Sequence, residues 1–137
     1  MIEFNYETDF ELSNPLDISN WITYVIKDEG FKLGDINYIF CDDDYLHKLN
    51  VEFLNHDTLT DIISFDNTIG KLVSGDIFIS VNRVRDNAVI YQNSFSEELH
   101  RVIIHGVLHY LGYKDKNDVE KTIMRKKEDF YLNTLKY

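Results

Sequence analysis

The apolar residues of this chain change period several times along its length, and each change marks a new element. Ile2 to Tyr6 alternates apolar and polar residues, as a short half-buried strand does. From Pro15 to Glu29 the period becomes helical, with Leu16, Ile18, Trp21, Ile22, Val25 and Ile26 at helical spacing. Pro15 fits a first turn and Gly30 a helix end. Alternation returns over Asp35 to Cys41, with Ile36, Tyr38 and Phe40 on one face. Asp42, Asp43 and Asp44 suit the positive end of a helix dipole and read as capping and solvated groups. The helix they open runs through Tyr45, Leu46, Leu49 and Phe53.

A loop at Asn55, His56 and Asp57 leads into a strand from Asp61 to Phe65. Gly70 turns the chain into a strand from Leu72 to Val81, with a bulge expected at Gly75. Three helices follow. The first covers Asn82 to Tyr91. The second, about Ser96 to Leu111, is opened by the capping-box spacing of Ser94 and Glu97 and closed at Gly112. The third is capped by Asn117 and Glu120 and reaches about Leu135. This order predicts an α+β fold in one domain over residues 1–137, a small mixed sheet of about four strands covered by about five helices.

Composition supports a folded domain: 44% of the 137 residues are hydrophobic and 14% aromatic. Cys41 is alone, so no intrachain disulfide is expected, and a reducing cytoplasm is the expected location. The first residues, MIEFNYETDF, lack the basic head and apolar core of a signal peptide. No apolar run approaches the ~18 residues of a membrane span, so no membrane partner is expected, nor a dinucleotide cofactor. The net charge of −10 weighs against a free-standing nucleic-acid binder, because phosphate neutralisation supplies much of that affinity. It leaves room for a metal enzyme acting on RNA held by something larger, since a divalent cation makes the local field positive.

The chemistry concentrates on the helix after Ser94. At ~100° per residue, His105 and His109 lie ~40° apart and one turn along, so both imidazoles can reach one metal ion. Leu99, Ile103, Val107 and Tyr110 fall roughly opposite and should be core, while Glu98 and Arg101 share the histidine face. His100 points toward the apolar side and reads as a buried or capping histidine. Trp21 reads as core. Gly106 lowers helix stability by roughly 1 kcal/mol relative to Ala, which implies that something approaches closely there. Past Gly112, Asp115 offers an oxygen as third ligand, leaving a fourth position open. Position 106 is not Glu, so the helix-borne base of HExxH zinc proteases is missing.

These residues carry a resemblance. HGVLHYLGYKD resembles the HGxLHLxGYDH signature of the YbeY family of ribosomal-RNA maturation endoribonucleases. Leu49-Asn50, Phe53 and Thr60-Asp61-Ile62-Ile63-Ser64-Phe65 resemble that family's LN..FR and TDVLSF segments. Gly75-Asp76-Ile77 resembles its GDI, and Met124, Glu128 and Phe130 its last helix. The resemblance implies a compact α+β fold with one metal, usually zinc, held by three histidines. His105 and His109 match the first two, and the third falls on Asp115, which shifts preference toward harder ions such as manganese, with nickel a further alternative. The family's Arg falls on Leu54, and His56, Arg83, Arg85 and Arg101 are the candidates to replace it; Arg101 and His56 are carried forward as catalytic candidates.

The implied function is metal-dependent cleavage of single-stranded RNA in small-subunit 16S rRNA 3′-end processing and ribosome quality control. The implied partners are ribosomal RNA and small-subunit ribosomal proteins. The alternatives are a non-catalytic metal-binding ribosome assembly factor and a metal hydrolase of other substrates.

Overall fold

The computed structural model describes residues 1–56 and 58–135, so Asp57, the last residue of the expected loop, lies outside the described residues. In chain order the described elements are β1 (Ile2–Tyr6), α1 (Pro15–Asp28), β2 (Lys32–Cys41), α2 (Asp43–Leu54), β3 (Ile62–Asp66), β4 (Leu72–Ser80), α3 (Val81–Ile90), α4 (Phe95–Tyr110) and α5 (Asp118–Leu132). The α+β architecture is as expected: four strands in a mixed sheet, with helices on both faces.

Strand order is β1-β2-β4-β3. β1 and β2 pair in parallel, as do β2 and β4, and β3 runs antiparallel at the edge beside β4. Parallel neighbours need a long crossover. α1 supplies one between β1 and β2, and α2 with β3 fills the connection from β2 to β4. β2 begins at Lys32, three residues before the alternation becomes readable, because Lys32 and Leu33 pair with Leu72 and Val73. The expected irregularity lies on β2 instead of at Gly75. The register steps from Leu33–Val73 to Ile36–Gly75, so Gly34 and Asp35 face Ser74 alone.

The two faces of the sheet bury different amounts of chain. Ile36, Tyr38 and Phe40 of β2 join Ile77 and Ile79 of β4 against α1 and α4, and all are fully buried. On the other face Cys41, Ile63 and Phe78 meet Leu46 and Leu49 of α2 in a smaller cluster. Burying one such aliphatic side chain stabilises by roughly 1.5–3 kcal/mol, so the α1/α4 face supplies most of the core. Polar pins then set α4 in place. The Tyr38 hydroxyl donates to Ile103 O at 2.9 Å, and the Tyr110 hydroxyl shares its proton between Asp76 O (2.9 Å) and Phe65 O (3.1 Å).

Two glycines permit this closeness. A Cβ on Gly75 would come within 2.6 Å of the Tyr110 hydroxyl and 2.5 Å of Phe65 O. A Cβ on Gly106 would meet Ile77 Cδ1 at 3.0 Å and Ile62 Cδ1 at 3.1 Å, so the close approach expected at Gly106 is that of the sheet. The helix ends follow their caps. The Ser94 hydroxyl accepts from Glu97 N and the Asn117 side chain from Glu120 N. α5 stops at Leu132, short of Leu135, where Trp21 Nε1 donates to Tyr131 O at 3.0 Å and to Thr134 Oγ1 at 3.1 Å. Trp21 is thus core, as expected, and also closes the last helix.

Candidate metal centre

Local backbone chemistry brings Asp115 back to the histidines. Beyond the C-cap Leu111, Gly112 takes a left-handed conformation with φ 102°, which favours glycine. Gly112 N donates to His109 O and Tyr113 N to Leu108 O, both at 3.1 Å, the paired bonds of a Schellman closure. The chain reverses there, and Asp115 faces the turn that carries both rings.

Three donor atoms converge. The Nε2 atoms of His105 and His109 are 3.0 Å apart, and Asp115 Oδ2 lies 3.2 Å from the first and 3.3 Å from the second. Bonds of ~2.0–2.2 Å at tetrahedral angles place the ligands of one zinc-like ion about 3.3 Å from each other, so this nearly equilateral triangle fits such an ion. His105, His109 and Asp115 could therefore hold a divalent metal.

A fourth residue orients the triangle. Glu128, buried on α5, lies with Oε2 2.6 Å from His105 Nδ1. A carboxylate can only accept, so Nδ1–H donates and the ring's lone pair is left on Nε2, the atom in the triangle. The other oxygen of Glu128 accepts from Arg101 Nη1 at 2.9 Å, and Arg101 Nη2 donates to Asp129 at 2.7 Å. Burial disfavours the charged form of His105, but the Glu128 hydrogen bond and the charges of Glu128, Asp115 and Asp61 outweigh it and raise its pKa. At Asp61, burial raises the carboxyl pKa, and the attraction of His105 offsets this only in part.

The donors open onto a cavity of about 850 Å³. Asp61, Ser64 and Glu98 line it, as do Lys121, Arg125 and Lys126 of α5. Of the four candidates to replace the family's Arg, only Arg101 lines the cavity, and two carboxylates already engage its guanidinium. The structure does not bring His56 to the site; it lies exposed after α2 and is not among the lining residues, and Leu54, the last residue of α2, is likewise exposed and outside the lining. Arg83 pairs with Asp43 at 3.0 Å, and Arg85 sits over the Phe95 ring at 5.2 Å. His100 is buried as expected, edge-on to Trp21, and burial lowers its pKa. Asp76 accepts from the Asn37 side chain at 3.1 Å, which ties β4 to β2. Reading the residues by their chemistry alone gave Glu128 no role; its match to the family's last helix was the available signal.

A helix-borne histidine pair, closed by a carboxylate from the next turn and backed by a buried glutamate, defines a small α+β protein with a candidate single-ion centre. The sequence profile of Endoribonuclease YbeY matches residues 3–136. The chain belongs to that family. It is 62% identical over 129 residues to Endoribonuclease YbeY of Flavobacterium johnsoniae, covering 94% of this chain and 93% of the relative. It is 49% identical over 136 residues to Endoribonuclease YbeY of Karelsulcia muelleri, covering 99% and 96%. The solution structure of a Thermotoga maritima protein superposes with a TM-score of 0.72 at 28% identity, covering 98% of this chain and 89% of the other.

Proposed function

We propose that this chain is a metal-dependent, single-strand-specific endoribonuclease acting in the cytoplasm on ribosomal RNA, in 16S rRNA 3′-end processing and ribosome quality control. Small-subunit ribosomal proteins are the proposed partners, and they would present RNA to a protein whose own net charge is −10. One observation carries the reading: the triangle of His105 Nε2, His109 Nε2 and Asp115 Oδ2, with Glu128 fixing the tautomer of His105. Family membership and the names of the relatives support it.

Zinc is the proposed ion, with manganese an alternative because Asp115 supplies a hard oxygen, and nickel a further one. An ion bound there would supply positive charge to a scissile phosphate and lower the pKa of an attacking water. The chain's own groups do the rest. His105 and His109 hold the ion on a rigid helix, Glu128 keeps the Nδ1 proton of His105 in place, and Arg101 holds Glu128. Arg101 is thus proposed as a positioning residue.

A second reading, a metal-binding ribosome assembly factor without catalysis, is favoured by Leu54 in the place of the family's Arg and by the engagement of Arg101 with Glu128 and Asp129. Incubating purified protein with single-stranded RNA, beside a His109→Ala variant and a chelator control, separates the two. The nuclease reading expects cleavage that both controls abolish. Absence of cleavage at full metal content would support the assembly factor, and cleavage surviving both controls would show a contaminating enzyme.

A further inference from the structure

The cavity beside the donor triangle is lined by side chains of both charges. Asp61, Glu98, Asp115 and Glu128 line it with Arg101, and Lys121, Arg125 and Lys126 line it from α5. Those three cations are exposed on α5. Lys121 and Lys126 make no ion pair among the described residues, and Arg125 reaches only Glu128, at 3.8 Å. In so acidic a chain, three exposed cations on one helix at the cavity form a local field that a phosphate backbone can follow.

The rim carries a ring as well. Among the exposed large apolar side chains described, only Tyr91 lines this cavity, and it is 57% exposed. It caps the C-terminus of α3, with its backbone N–H bonded to Asn87 O at 2.9 Å. The next turn is anchored to α4 through the Asn93 side chain, which donates to Glu98 at 3.3 Å. An exposed aromatic ring on an anchored turn, beside exposed cations, is the combination that holds single-stranded nucleic acid, by stacking and by charge.

We propose that Tyr91 and the α5 cations Lys121, Arg125 and Lys126 seat single-stranded RNA next to the triangle, Tyr91 stacking one unpaired base and the cations pairing with phosphates. This rests on the nuclease reading. It supplies phosphate contacts from α5, and it accounts for the proposed preference for single strands, since a paired base has no free face to stack.

The test uses the metal-loaded full chain and a labelled 2′-O-methyl single-stranded RNA oligonucleotide, with affinity read by anisotropy from ~50 to ~200 mM salt. A Lys121→Gln/Arg125→Gln/Lys126→Gln variant is expected to bind about 100-fold more weakly at ~50 mM salt, the deficit narrowing to several-fold at ~200 mM. Its slope of log affinity against log salt should shrink by about 2, since each phosphate contact contributes ~0.7. Tyr91→Ala is expected to weaken binding about 10-fold at every salt with the slope kept, Tyr91→Phe to stay within about 2-fold of the parent, and binding of a duplex to ignore both. The single glutamine variants, all at exposed positions, carry the same test should the triple variant fold poorly. A parental slope in the cation variants, or parental affinity in Tyr91→Ala, overturns the proposal while leaving the nuclease reading intact. A parent chain that neither binds this probe nor cleaves unmodified RNA overturns both.

Discussion

His100 and His105 lie on the same helix and sit in two different media. His100 packs edge-on against Trp21 inside the core, where burial favours the neutral ring. His105 lies on the cavity face, where Glu128, Asp115 and Asp61 reverse the effect of burial. One face of α4 is therefore bound to the sheet by packing and by the hydroxyls of Tyr38 and Tyr110. The other is bound to α5 by charge, through Arg101, Glu128 and Asp129. The contrast teaches that a histidine's task here is set by which carboxylates face it, and that the apolar face supplies the rigidity the cavity face needs.

The sharpest way to break that contrast is to remove each ring in turn. His105→Ala should lower metal affinity by more than about 100-fold and abolish RNA cleavage, whereas His100→Ala should lower the melting temperature and leave metal content at the parental value. Parental metal content in His105→Ala, by elemental analysis after dialysis, would erase the difference between the faces. Next in size is Glu128→Ala, expected to weaken metal binding by about 10–100-fold in a competition titration, because the acceptor that orients His105 is lost. On the apolar face Gly75→Ala should destabilise by about 1–3 kcal/mol in urea unfolding, since its Cβ would press on the Tyr110 hydroxyl and Phe65 O.

The smallest effect is a pH dependence. His100 titrates lower in the folded chain than its ordinary 6.5, so the unfolded state takes up the proton first. Its contribution to stability is fully present above pH ~6.5 and declines as pH falls from there toward the folded-state pKa. His100→Gln should flatten that part of the stability-against-pH curve, and an unchanged curve would contradict the core placement of the ring.

Much of this was legible in local sequence, because local physics sets it. The capping pair Ser94 and Glu97, the one-turn spacing of His105 and His109, and the left-handed glycine that returns Asp115 all act within a few residues. Gly106 announced a close neighbour without saying which; the neighbour proved to be Ile77 and Ile62, distant in sequence. Glu128 lies 23 residues from His105 in the chain, and no period or cap connects the two. The early start of β2 depends on its pairing with Leu72 and Val73, and the end of α5 on a hydrogen bond from Trp21, so neither boundary is written in its own segment. His56 is a candidate by side-chain type alone, and the turn after α2 leaves it outside the cavity.

Metal content per chain, measured by elemental analysis for the parent and for Asp115→Ala after identical loading and dialysis, tests the centre most directly. Three convergent donors predict about one divalent ion per parent chain and a clear loss in the variant. A parent that retains no ion, or a variant that retains as much as the parent, would contradict the assignment of His105, His109 and Asp115 as one ligand set.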